Sequence, residues 1–132
     1  MSRIPEWIRY KVPGGEKYGH VKKVLSDSGL HTICVEAKCP NISGCFNCGT
    51  ATFLVLGDIC TRNCRYCSVK KGEPLPPDPD EPVKIASAVS SLGLKYAVIT
   101  SVTRDDLKDG GSKFLSIICD EIRQKSSETG IE

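Results

Sequence analysis

Cys60, Cys64 and Cys67 stand at C-x3-C-x2-C spacing in the polar stretch Cys60-Thr61-Arg62-Asn63-Cys64-Arg65-Tyr66-Cys67. Thiolates this close along a chain can wrap one face of an iron–sulfur cluster. A cubic cluster has four irons, so three protein ligands leave one iron open. An open coordination position separates a reactive metal site from a closed structural one.

A second triplet, Cys34, Cys39 and Cys45, has C-x4-C-x5-C spacing, and Cys48 follows as a spare thiol. Reduced cysteines can pack as small hydrophobes. Here Glu36, Lys38, Asn41 and Ser43 make the segment polar, which favours a metal role. Cys119 falls on an apolar helical stripe and reads as core. His20 and His31 flank a short helix and read as surface or capping residues. Asp105-Asp106 fits acid–base carboxylates and polar turn residues equally well.

The elements that must position these residues follow from hydrophobic periodicity. Thr52–Leu56 is an apolar, β-branched run and predicts a buried strand feeding the Cys60 loop. Prolines from Pro74 to Pro82 make a stiff linker into a helix capped by Asp80 or Glu81 with Pro82. Its stripe is Ile85, Ala86, Val89 and Leu92, and Gly93 stops it. Tyr96–Ile99 predicts a second buried strand, so strand, helix and strand form a right-handed parallel βαβ unit. The segment from Thr100 through Arg104, Asp105 and Asp106 emerges at the carboxyl end of that strand, where α/β barrels place active sites. Ser112 predicts the N-cap of a last helix with Phe114, Leu115, Ile118, Cys119 and Ile122 inward. A third strand is expected to begin within residues 129–132. Upstream, residues 1–17 read as an extended arm, and about Tyr18 to Ser28 as an amphipathic helix stopped by Gly29.

Composition narrows the function classes. With 132 residues the chain fits one ordinary domain. Basic and acidic residues nearly balance, 18 against 16, and aromatics are 6%, which argues against a nucleic-acid partner. The N-terminus lacks the apolar core of a signal peptide, and no apolar run approaches the ~20 residues that span a bilayer. The expected location is the reducing cytoplasm, with no membrane partner, where clustered cysteines mean metal or catalysis.

Taken together, several motifs resemble lipoyl synthase, within the radical S-adenosylmethionine (SAM) superfamily. They are Cys34-x4-Cys39-x5-Cys45, Gly49-Thr50-Ala51-Thr52-Phe53, Cys60-x3-Cys64-x2-Cys67 and Ile99-Thr100-Ser101-Val102-Thr103-Arg104-Asp105-Asp106-Leu107. Pro5-Glu6-Trp7 and Pro13 to Tyr18 resemble the family's N-terminal arm. The resemblance implies an α/β fold, the N-terminal part of a partial (β/α) barrel. Residues 1–48 would be the arm and auxiliary-cluster extension, and 49–132 the first βα units.

It implies SAM and two 4Fe-4S clusters as cofactors. The cluster at Cys60, Cys64 and Cys67 would reduce SAM, and the deoxyadenosyl radical would take hydrogen from a protein-bound octanoyl chain. The auxiliary cluster at Cys34, Cys39 and Cys45 would give up sulfur. Tyr66 and Ser101 are candidates for SAM contact, and Arg104, Asp105 and Asp106 for catalysis. Implied partners are an octanoylated lipoyl-carrier domain or peptide, an electron donor, and a second chain supplying later strands. Family members are longer and complete the auxiliary cluster with a serine in a C-terminal Arg-Ser-Ser-Tyr segment. Ser126 and Ser127 lack that arginine and tyrosine, and the ligand role is not transferred to them.

Two other readings compete. Cys45-x2-Cys48 and Cys64-x2-Cys67 satisfy a two-knuckle zinc pattern, which would make a binding module without catalysis. An iron–sulfur electron carrier would explain both triplets but not an open SAM site.

Overall fold

The computed structural model describes Pro5 and residues 14–132. Most of the predicted arm therefore lies outside the described residues. The central sheet has four strands in the order β1-β2-β5-β6: His31–Thr32, Thr50–Val55, Tyr96–Ser101 and Gly130–Ile131. A separate small pair is β3 (Ile59–Cys60) and β4 (Lys70–Lys71). The helices are α1 (Glu16–Asp27), α2 (Ile33–Glu36), α3 (Ile42–Asn47), α4 (Glu81–Leu92) and α5 (Ser112–Lys125).

β2 and β5 run parallel with Thr50 opposite Tyr96 and Val55 opposite Ser101. The crossover between them contains α4, as the βαβ pattern predicts. β6 adds a third parallel strand at Gly130 and Ile131, within the segment expected to start one. Three two-residue strands, β1, β3 and β4, carried no clear signal. β1 lies antiparallel on β2, pairing His31 with Leu54. A two-residue strand is too short for its alternation to be seen in sequence.

Val55, Ala86, Val89, Ala97, Ile118 and Ile122 are fully buried where α4 and α5 cover the sheet. Burial of each larger side chain contributes roughly 1.5–3 kcal/mol. α4 ends at Gly93 in the left-handed region (φ 57), as its stop predicts. Several boundaries differ from expectation: β2 starts at Thr50 rather than Thr52 and ends at Val55, and β5 runs on to Ser101. α1 begins at Glu16, and Ser112 is the first residue of α5 rather than its cap. The Asp109 carboxylate takes the N–H groups of Gly111 and Lys113 at 3.1 and 3.0 Å, so it caps the helix in place of Ser112. Gly111 (φ 92) sits so near Leu56 that a Cβ would come 2.3 Å from Leu56 Cδ1.

Candidate metal centre

The Cys60 loop is closed at its base. Parallel pairing of β3 with β4 brings Ile59 beside Lys70 and Cys60 beside Lys71. The Lys70 ammonium reaches Asp58 Oδ2 at 2.5 Å, and the Gly72 N–H donates to Cys60 O at 3.1 Å. The loop is then tied to the segment after β5. The Thr61 N–H donates to Thr103 O at 3.1 Å. The Thr61 hydroxyl lies 3.0 Å from that same oxygen and 2.9 Å from Asp105 Oδ2. Arg62 makes a two-point contact with the Asp105 carboxylate, 2.9 Å on each side. The loops that leave the carboxyl ends of β2 and β5 are thus bonded to each other.

These ties act on the first thiol. Burial pushes Cys60 up, but hydrogen bonds from the Arg62 N–H and from Thr103 outweigh it and hold the thiol below its ordinary value. The thiolate is the form that binds metal. Cys64 is exposed, while Cys60 and Cys67 are half-buried against the core. Tyr66 is 92% exposed beside them, and Ser101 ends β5 at the same edge.

The three catalytic candidates have distinct places. Arg104 is buried, donating to Leu56 O at 2.9 Å and to both Asp106 oxygens at 2.9 and 2.7 Å. Asp105 is held low by Arg62 and then Thr61, and Asp106 by Arg104. Each carboxylate has its own cation, so at neutral pH both are acceptors and anchor the loop. Leu56 itself has φ 67, a left-handed conformation that costs a residue with a Cβ about 1 kcal/mol or more. Its N–H donates to Glu81 Oε2 at 3.1 Å while its carbonyl accepts from Arg104. Glu81 and Arg104 together hold the peptide that turns the strand into the cluster loop.

Glu81 is 7% exposed, and its carboxyl is raised by burial despite the Leu56 N–H. A raised carboxylate favours the native state below its unfolded value near 4.3 and loses that advantage as pH rises. Glu81→Gln should therefore raise the urea midpoint at pH 7 and leave it near wild type at pH 4. Equal shifts at both pH values would contradict this reading. Asp58, Asp78, Asp105, Asp106 and Asp109 have the opposite sign, being lowered, so both proteins lose stability on acidification below about pH 4.

The second triplet is carried by short helices. Thr32 caps α2 by accepting the Val35 N–H at 3.3 Å. Lys38 (φ 52) makes the turn that returns the Cys39 N–H to Cys34 O at 2.9 Å. Cys45 lies on α3 and Cys48 caps it. Asn47 and Ser43 fasten α3 to the start of α1, through Asn47 Nδ2 to Gly14 O at 3.1 Å and Ser43 Oγ to Gly14 O at 3.3 Å. Cys34 and Cys39 open onto a cavity of about 310 Å³ with Tyr18, Lys22 and Lys38. Burial raises the Cys45 thiol, and the neighbouring Cys34, Cys39 and Cys48 raise it further. Four thiols close enough to repel as thiolates form a donor set that a cationic centre relieves.

Both donor sets fit iron–sulfur clusters. All eight cysteines are free thiols. Among the described residues no three cysteine sulfurs lie within 4.8 Å of one another. A single zinc with sulfurs at 2.3 Å needs ligand separations of about 3.8 Å. A cluster of several irons spreads its ligand sulfurs wider. The zinc-knuckle set Cys45, Cys48, Cys64 and Cys67 is disfavoured on the same ground. Its halves also lie on either side of β2, Cys48 capping α3 before it and Cys64 in the loop after it.

Three parallel strands bearing a thiol-rich loop at their carboxyl edge are consistent with part of a radical SAM β/α fold. Residues 54–131 match the family model of the radical SAM superfamily, and residues 1–39 match that of the N-terminal domain of lipoyl synthase of the radical SAM family. The lipoyl synthase of Pseudoalteromonas atlantica is 51% identical over 133 residues, covering 100% of this chain and 42% of its own length. That of Dechloromonas aromatica is 53% identical over 131 residues, covering 98% and 42%. That of Caldicellulosiruptor saccharolyticus is 50% identical over 132 residues, covering 100% and 46%. The chain belongs to the lipoyl synthase family of the radical SAM superfamily. It spans less than half the length of these curated relatives. Radical SAM lipoyl synthases use SAM and two 4Fe-4S clusters.

Sequence reasoning located the thiols but not what holds them. Thr61 to Thr103 and Arg62 to Asp105 are contacts 42 and 43 residues apart in the chain. His31, read as a surface or capping residue, instead lies with Glu36 and Asp58, one ligand atom of each within 4.8 Å of the others. No spacing rule signals such long-range pairs.

Proposed function

We propose that this chain supplies the SAM-cleaving and sulfur-donating sites of a lipoyl synthase, acting on a protein-bound octanoyl group. One observation carries the reading. Each cysteine triplet sits in its own loop of one sheet, and the Cys60 loop is bonded to the loop after β5 at the sheet's carboxyl edge. Cys60, Cys64 and Cys67 would hold the SAM-reducing cluster, and Cys34, Cys39 and Cys45 the auxiliary one. When bound, these groups supply the electron that cleaves SAM and the sulfur that is inserted. The protein's own part is positioning. Thr61, Arg62 and Asp105 fix the loop, Thr103 keeps Cys60 ready to ligate, and Glu81 with Arg104 sets where the loop leaves β2. Tyr66 and Ser101 are the side chains that would contact SAM.

The partners follow from the same reading. They are an octanoylated lipoyl-carrier domain or peptide, an electron donor, and further strands beyond β6, in the reducing cytoplasm that suits eight free thiols. Among the described strands β6 is bonded only to β5, and an open parallel edge pairs readily with more chain. An anaerobic assay with SAM, reductant and an octanoylated peptide tests this. The chain alone should give no lipoyl product, and mixing it with the C-terminal portion of a full-length relative should restore product. Product from the isolated, monodisperse chain would show that the later strands are dispensable.

A further inference from the structure

Between the two cysteine loops lies a group of side chains that neither site uses directly. Glu36 ends α2, two residues after Cys34, and Asp58 follows β2, two residues before Cys60. His31 on β1 stands between them. Its Nδ1 is 3.3 Å from Glu36 Oε1, and its ring, the Glu36 carboxylate and the Asp58 carboxylate each place a ligand atom within 4.8 Å of the others. Lys70, just beyond Cys67, completes the row through Asp58 Oδ2. The row therefore starts in the auxiliary-cluster segment, crosses the edge strand, and ends by joining both sides of the Cys60 loop.

Three donor groups so near one another could also suggest a metal ion. The Lys70 ammonium already supplies a positive charge to Asp58, however. The row is better explained as a fastening than as a vacant site. Its two carboxylates are shielded, Glu36 at 18% and Asp58 at 22% of their side-chain surface, while His31 at 37% and Lys70 at 65% face solvent, so its hydrogen bonds are partly screened and its hold is geometric more than electrostatic. It also has a geometric reason to exist. α2 is four residues long and cannot hold itself. β1 meets the sheet through only two residue pairs.

We propose that His31, Glu36, Asp58 and Lys70 form a clasp coupling the two cysteine loops, with His31 a positioning residue that fixes one cluster site relative to the other. This rests on the proposal that both triplets bind clusters. The clasp makes the loops open and close together. Breaking a clasp residue on one loop then loosens the thiols of the other, and the effects of two clasp substitutions are not additive because both break the same link.

The test uses the whole chain, reconstituted anaerobically with iron and sulfide and then challenged with a chelator. Alkylation of each cysteine is followed by mass spectrometry. Glu36→Gln, on the auxiliary side, should speed alkylation of Cys60, Cys64 and Cys67. Asp58→Asn should speed that of Cys34, Cys39 and Cys45. The double variant should be no faster than the worse single one. His31→Leu should behave like either single variant, and His31→Asn, which keeps a nitrogen near the position of Nδ1, should restore much of the protection. Circular dichroism of the apoproteins checks that all variants fold. If each substitution exposes only its own loop, or the double variant is additive, the clasp is refuted. If the unsubstituted protein shows no protection at one triplet, the cluster assignment fails instead, and the two failures are read from different cysteines.

Discussion

Cys60→Ala is expected to abolish reductive cleavage of SAM in the complete catalytic assembly, whereas Cys34→Ala is expected to spare it and to remove sulfur insertion. The asymmetry follows from where the two thiols sit. Cys60 is the first thiol of the loop fastened to the β5 edge through Thr61, Arg62 and Asp105, and hydrogen bonds from Arg62 and Thr103 hold it below its ordinary value. Three ligands are the minimum that leaves one iron open while holding the rest, so losing one removes the site that activates SAM. Cys34 is buried in α2 on the other side of β1, and its loss leaves the β3–β4 base and the Thr61–Thr103 bond in place. Deoxyadenosine and methionine formation, measured beside lipoyl product, separates the two variants. Equal loss of SAM cleavage in both would show that the two sites do not divide the work.

The second large effect is on stability. Stripping iron with a chelator should increase protease cleavage within residues 34–48 by at least about tenfold, a change of about 1.4 kcal/mol in local opening, while β2, α4, β5 and α5 stay resistant. α2 and α3 have four and six residues, far below the ~12–15 at which isolated helices become even marginal in water. Phe46 is the one fully buried large side chain in this segment, with Tyr18 against it at a ring separation of 5.8 Å. Structural metal sites in small domains contribute apparent energies of ~10–16 kcal/mol. Against that, most of the buried core lies in β2, α4, β5 and α5, which carry none of the cysteines of either triplet. Unchanged cleavage after complete iron removal would mean that the short helices are held by packing alone.

Much of this molecule was legible because its signals are local. The Cys60 and Cys34 triplets are spacing patterns within a few residues of chain. The β2–α4–β5 unit follows from apolar periodicity with Pro82 and Gly93 as punctuation, and β6 from the strand expected within residues 129–132 after the last helix. What was not legible depends on the third dimension. Arg104, Asp105 and Asp106 are three adjacent polar residues in sequence, and only the fold sends Arg104 inward to Leu56 and Asp105 across to Arg62. The capping of α5 by Asp109 was missed because Ser112 is an equally good cap residue on composition, and the glycine pair before it lets the chain turn one residue earlier. His31 carries no sign of its partners, since Asp58 reaches it only after β2 has crossed the sheet.

Metal analysis after anaerobic reconstitution tests the central claim most directly. The account predicts about eight irons and eight sulfides per chain, falling to about four of each in Cys60→Ala and in Cys34→Ala. Stoichiometric zinc with neither iron nor sulfide, lost on Cys48→Ala and kept in Cys34→Ala, would contradict it.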